Sequence, residues 1–182
     1  MKYAILGDIH ANLEALTAVL ADAKEQGVTH YACVGDVVGY NANPVECLQV
    51  TQDLKCVTVR GNHDHYCSHD DNLDGFHPLA ADAVDWTRRK LSEDMRRYLR
   101  NLRLIRTVES FTIVHSTLDM PEMWGYVFDK LEAEANFNYQ SGSNSFSFTL
   151  YDRMSQDIVS QFTEVNSDGI IVSMPVNAGE SE

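Results

Sequence analysis

The chain has 182 residues, 44% hydrophobic and 23% charged, which suits one domain with its own core and excludes wholesale disorder. No run approaches the roughly 18 apolar residues of a membrane span, and the opening MKYAILGDIH has too short an apolar part for a signal peptide, so a cytoplasmic protein is expected. With 14 Lys and Arg against 27 Asp and Glu the formal net charge is -13: the general surface repels long nucleic acids and anionic membranes, and a phosphate-bearing ligand needs a local source of positive charge such as a bound metal ion.

Tyr3–Leu6 reads as a buried strand that ends at Gly7-Asp8. Asn12 then suits an N-cap, followed by Leu13, Leu16, Val19, Leu20 and Ala23 at helical spacing, with Gly27 as the stop. His30–Val34 is a second strand, ending at Gly35-Asp36. Pro44 opens a second helix to about Asp53, and Lys55–Val59 is a third strand, ending at Gly61-Asn62. Strand and helix in alternation predict a parallel sheet covered by helices.

From about His77 to Asn101 the pattern is helical and rich in base, with Arg88, Arg89, Lys90, Arg96, Arg97 and Arg100. A solvated helix pair offsetting the acidic remainder accounts for it better than an anion-binding patch does. Arg103–Val108 and Phe111–His115 read as adjacent strands turning at Glu109-Ser110, and Asp129–Gln140 has helical composition. After a small-residue stretch at 141–145, strand-like runs occur at Ser145–Leu150 and Ile170–Val172, and a tail this short belongs to the same domain, so residues 1–182 form one unit. Cys33, Cys47, Cys56 and Cys67 form no CxxC pair and read as reduced thiols.

Three successive strand ends carry Gly followed by a metal-competent side chain: Gly7-Asp8-Ile9-His10, Gly35-Asp36 and Gly61-Asn62-His63-Asp64. Ligands of open parallel sheets bind beyond such ends, so the three converge on one crevice, with His115 as a fourth contributor. Asp8 and His10 can turn toward one ion, Asp36 has two oxygens and can bridge two ions, and Asn62 and His115 offer a carbonyl oxygen and an imidazole. Mixed nitrogen and oxygen ligands suit Mn, Fe, Co, Zn or Ni, and two such ions would clamp a phosphoryl group. His63 is placed to act as general acid, and Asp64 to orient it. One Gly-Asp alone is ordinary turn chemistry; three in series with His10 and His63 are not. Gly35 to Gly39 lacks the Lys-Ser/Thr ending of a phosphate loop, and no GxGxxG follows the first strand.

The motifs Gly-Asp-Ile-His at 7–10, Gly-Asp-Val-Val-Gly-Tyr at 35–40, Gly-Asn-His-Asp at 61–64 and Val-His at 114–115 resemble those of the calcineurin-like metallophosphoesterases, in particular the small bacterial and archaeal branch. The resemblance runs to about Gln140. It implies a four-layer α/β/β/α sandwich with two facing mixed sheets, and hydrolysis of small phosphomonoesters or phosphodiesters with two divalent ions. It also implies that Asp8 and His10 hold the first ion, Asp36 bridges, Asn62 and His115 hold the second, and His63 is the catalytic acid.

The family's last motif, Gly-His-Thr-His, is absent, and no histidine follows His115. Ser147-Phe148-Thr149-Leu150 is its best positional equivalent. Three accounts stay open: a divergent tail with one imidazole fewer per metal site, a truncated or altered sequence, or ligands supplied from elsewhere, including a second copy in a homo-oligomer. A family member acting as a metal-binding or scaffold module without turnover is the alternative function. His65, His69 and His77 lie in an acidic segment that can line the site's mouth, and Met120, Met123 and Trp124 can wall the crevice.

Overall fold

Successive residues of the first strands face two buried clusters in turn. In β1 (Tyr3–Leu6) and β2 (His30–Cys33), Leu6 and Cys33 point to one hydrophobic cluster, while Ile5 and Ala32 point to another. This is a computed structural model, and it describes residues 1–109, 111–132, 136, 146–148 and 169–171.

Two crossovers build the first sheet. Helix α1 (Leu13–Glu25) links β1 to β2, and α2 (Pro44–Asp53) links β2 to β3 (Val57–Thr58). Asn12 caps α1 by accepting from Ala15 N at 3.0 Å, and Pro44 opens α2 where its missing N–H costs nothing. With β7 (Gly169–Ile171) the strand order is β3-β2-β1-β7, and every pairing among the described residues is parallel. The second sheet, β4 (Ile105–Val108), β5 (Phe111–Val114) and β6 (Phe146–Phe148), is mixed: β4 and β5 are antiparallel, β5 and β6 parallel. Among the described residues the first sheet is parallel, because crossover helices join β1, β2 and β3, and the second is mixed.

Helices α3 (Asn62–Ser68), α4 (Pro78–Lys90) and α5 (Glu93–Asn101) join α1 and α2 on one face of the first sheet, burying Leu16, Leu48, Val84 and Leu99 with Leu6 and Cys33. On the other face Ile5, Ala32, Val34 and Val59 pack with Val108 and Ile113 of the second sheet. Each fully buried Leu, Ile or Val among them contributes about 1.5–3 kcal/mol. The described residues thus give helices, sheet and sheet. Asp129–Gln140 is helical at 130–132 and 136, and the rest of it lies outside the described residues, as do Thr149 and Leu150.

The third strand is shorter than the expected Lys55–Val59, because Lys55 turns into left-handed backbone at φ 52° and Val59 makes only an isolated bridge to Arg103. Helix α3 was not anticipated at all. The basic helices are a pair, as expected, broken at Leu91-Ser92. Their arginines do more than offset charge: Arg88 donates to Tyr66 O, and Arg96 and Arg100 to Ser68 O, tying down the C-terminal end of α3. The four cysteines are free thiols, and three are buried. Among the described residues no helix is long and apolar enough to cross a membrane.

Candidate metal centre

The loops leaving β1 and β2 stay side by side past the sheet. Asp8 N donates to Gly35 O at 3.2 Å, His10 N to Asp36 O at 2.8 Å and Ala11 N to Val37 O at 2.9 Å. Within them Asp8, His10, Ala11 and Asp36 sit at φ 51°, 45°, 58° and 53°, a region few non-glycine residues adopt. Strain of this kind persists where the surroundings over-determine it, and it clusters at functional sites.

Asp36 is the hub, only 2% exposed. Its Oδ2 lies 3.4 Å from His115 Nε2 and 3.7 Å from His10 Nε2, while its Oδ1 accepts from His63 N at 2.8 Å. Asp8 Oδ1 is 3.8 Å from His10 Nε2, and Asn62 Oδ1 is 2.9 Å from His115 Nε2. The ligand-capable atoms of Asp8, Asp36 and His115 lie within 4.8 Å of one another, and so do those of His10, Asp36 and His63. Asp36 belongs to both groups.

Two imidazoles are fixed from behind. His10 Nδ1 meets Val38 O at 3.3 Å and His115 Nδ1 meets Val34 O at 2.9 Å. A carbonyl partner places the proton on Nδ1 and leaves the Nε2 lone pair facing the carboxylates, as metal-binding histidines require. Burial keeps His10 neutral by pushing its pKa down to about 4, and burial with the neighbouring imidazoles of His10 and His115 pushes His63 down to about 3. Neutral imidazoles are the ligating form. The donor set of carboxylates, imidazoles and an amide oxygen, converging around one shared carboxylate, fits divalent first-row ions.

Both depressed values lie below the ordinary 6.5, so as pH falls from 6.5 toward 4 the unfolded chain takes up protons that the folded chain does not. Metal-free protein is therefore expected to be fully stable above pH 6.5 and to lose up to about 1.4 kcal/mol per pH unit for each imidazole below it. Thermal melts of chelator-treated protein between pH 7.5 and 4.5 read this out, and a flat profile would contradict it.

Close approach explains the glycines. A Cβ on Gly61 would sit 2.1 Å from Asp36 Oδ1 and 2.6 Å from Asp36 N. A Cβ on Gly39, at φ +94°, would sit 2.6 Å from His63 Nδ1, a buried atom with no hydrogen-bond partner among the described residues. Gly61→Ala must displace the shared carboxylate, so it is expected to weaken Mn2+ binding by at least about 10-fold, the lower bound for disturbing a ligand's support. Calorimetric titration with Mn2+ checks this, and an unchanged affinity would contradict it.

Asp8, His10, Asp36, Asn62, His63 and His115 all line one cavity of about 90 Å³. Asp64 does not reach it. Its carboxylate accepts from Asp36 N at 2.8 Å, Val37 N at 2.9 Å, Gly61 N at 3.0 Å and Val38 N at 3.3 Å. Asp64 was expected to orient His63; in the structure four amides occupy both of its oxygens, so it braces the loops that carry Asp36 and the start of α3.

The cavity's other walls are Tyr40, Ser116, Trp124, Gly125 and Tyr126. The Tyr40 ring lies 4.3 Å from that of His63 and 4.7 Å from that of His10. Tyr40 was part of a recognised motif without a role, and nothing local in the sequence marks Tyr126. Of the three residues expected to wall the crevice, only Trp124 does so; Met120 and Met123 are 54% and 68% exposed and stand outside it.

A mixed α/β fold with carboxylates, imidazoles and an amide gathered at its strand ends defines a protein built around a metal-competent site. The chain belongs to the calcineurin-like phosphoesterase family, whose pattern matches residues 1–162. It is 39% identical over 140 residues to the uncharacterized protein MJ0912 of Methanocaldococcus jannaschii, covering 75% of this chain and 57% of that one. The crystal structure of a metallophosphoesterase from Sphaerobacter thermophilus superimposes with a TM-score of 0.65 at 37% identity, over 76% of this chain and 56% of that one. Hypothetical protein PH1004 of Pyrococcus horikoshii OT3 shares the fold, with a TM-score of 0.65 at 24% identity over 78% and 66% of the two chains. The chain thus spans a little over half the length of the first two relatives.

Proposed function

We propose that the crevice hydrolyses small phosphomonoesters or phosphodiesters with two divalent ions, Asp8 and His10 holding one, Asn62 and His115 the other, and Asp36 bridging them. The observation that carries this reading is the shared, buried Asp36 with an imidazole Nε2 on either hand at 3.4 and 3.7 Å. Ions bound there would supply the positive charge that a chain of net charge -13 lacks and would lower the pKa of a bound water.

The protein's own residues do the rest. Carbonyls 34 and 38 hold the two imidazoles in one tautomer, so no reorganisation is needed when an ion or substrate arrives. A cavity of about 90 Å³ admits a phosphoryl group and leaves the remainder of the substrate to Tyr40, Trp124 and Tyr126 at the rim. His63, beside Tyr40 and His10, faces the same space. A phosphoester anion would raise its proton affinity from the low value burial imposes, equipping it to protonate the leaving oxygen. The acidic exterior disfavours long nucleic acids as substrates.

Hydrolysis of a chromogenic phosphomonoester and phosphodiester with Mn2+ titrated tests the reading. His63→Ala is expected to lower kcat by about 10²–10⁴-fold, the usual worth of a general acid, while shifting Mn2+ affinity far less. Absence of turnover at every metal concentration, in folded protein, would overturn it. The alternative reading is metal binding without turnover. A rise in Tm with Mn2+ but no hydrolysis would select that one.

A further inference from the structure

We propose that His65, His69 and Asp71 form a second metal site, suited to Zn2+ and separate from the crevice. The ligand-capable atoms of these three residues lie within 4.8 Å of one another, and none of the three lines the crevice. His65 and His69 stand four residues apart at the end of α3, which stacks them on one side with ring centroids 4.2 Å apart and planes 24° from parallel. Asp71 comes back over them, its Oδ2 2.8 Å from His65 Nε2.

The donor chemistry is that of zinc. Two imidazoles and a carboxylate leave the fourth tetrahedral position to water. Bonds of about 2.0 Å require ligand atoms about 3.3 Å apart, so the His65–Asp71 pair needs only a small opening. His69 Nδ1 is taken by His65 O at 2.9 Å, which presents its Nε2 as the ligand atom. Among the described residues the buried His65 Nδ1 has no hydrogen-bond partner, and the ring's Nε2 meets a half-exposed carboxylate, that of Asp71. A surface histidine pair with no further task gains nothing from being held this way.

The segment is also rigidly supported. Arg88 donates to Tyr66 O and Asp71 O, both at 2.9 Å, and Arg96 and Arg100 donate to Ser68 O at 3.2 and 2.7 Å. Ser68 Oγ donates to His65 O at 3.0 Å. Each of these three arginines is in turn paired with a carboxylate, Asp85, Asp70 or Glu93, while burial, and with it the charge of Arg60, favours the neutral, ligating form of His65. Backbone carbonyls held from outside fix the directions of the side chains they carry, which is how metal sites are preorganised.

Equilibrium dialysis of the full chain against Zn2+ alone, with bound metal counted by atomic emission, tests the proposal. His69→Ala and Asp71→Asn are each expected to lower bound zinc by one ion per chain, or to raise the Kd of that ion by more than about 100-fold, since even residues outside the ligand shell cost 10–100-fold. His69→Cys, which restores a zinc ligand, is expected to recover it. Asp36→Asn, which disables the crevice, is expected to keep this ion, so failure of the phosphoesterase reading and failure of this one give different patterns. Asp71 is an exposed loop residue and its amide keeps the shape, so that variant decides the matter should His69→Ala not fold. Unchanged zinc stoichiometry and affinity in Asp71→Asn, or loss of the same ion in Asp36→Asn, would overturn the proposal.

Discussion

Asp36→Asn is expected to abolish metal-dependent turnover and to weaken metal binding by more than about 100-fold, the upper end of what disturbing a ligand's surroundings costs. The argument rests on which way the new amide must face. Asp36 Oδ1 accepts from His63 N at 2.8 Å, so the asparagine oxygen is held at that position. Its NH2 then replaces Oδ2, 3.4 Å from His115 Nε2 and 3.7 Å from His10 Nε2. Both imidazoles offer lone pairs there, because carbonyls 34 and 38 hold their protons on the other nitrogen. The amide would donate to the very atoms an ion needs while removing the shared negative charge. The fold should survive, since the bond to His63 N is kept and a buried charge is removed. Folded protein that has lost its Mn2+-induced rise in Tm is the expected result; full activity or an unchanged rise would contradict the assignment of Asp36 as the bridge.

How much of this was legible in the sequence divides along a physical line. Local signals with one solution were readable: Asn12 before a helical apolar stripe caps α1, Pro44 opens α2, and short apolar runs ending in Gly-Asp or Gly-Asn become strands whose ends meet. Asp8, His10, Asp36, Asn62 and His63 could be named because strand ends of a parallel sheet converge by topology, and His115 because it directly follows β5 of the second sheet. What was not readable depends on partners far along the chain. Asp64 looks like a residue that orients its neighbour His63, yet its oxygens go to amides 26 to 28 residues earlier and to Gly61. Trp124 and Tyr126 reach the crevice through a turn in which Trp124 takes a left-handed φ of 54°, and no periodicity announces such a turn. The arginines of α4 and α5 looked solvated because helix charge patterns say nothing of the carbonyls of α3 that they reach.

Asp64→Asn is the second change of large expected effect, and it acts on the fold. Asp64 is wholly buried, and its two oxygens serve four backbone donors: Oδ2 takes Asp36 N and Gly61 N, Oδ1 takes Val37 N and Val38 N. An amide side chain can replace only one oxygen. In either orientation its NH2 confronts two N–H groups, leaving donors facing donors without water. Each buried donor left unsatisfied costs about 1–3 kcal/mol, so a loss on the order of 3–5 kcal/mol is expected. For a chain of this size that lowers Tm by roughly 10 °C. The same amides belong to the residue that bridges the two metal groups and to the turn that starts α3, which carries Asn62 and His63. Metal binding should therefore suffer together with stability, whereas Asp36→Asn should remove metal binding while sparing the fold. Melts of chelator-treated Asp64→Asn and Asp36→Asn side by side separate the two roles. An Asp64→Asn Tm at or above that of Asp36→Asn would mean that the four amides find other partners, and that the loops are not held from beneath by this carboxylate.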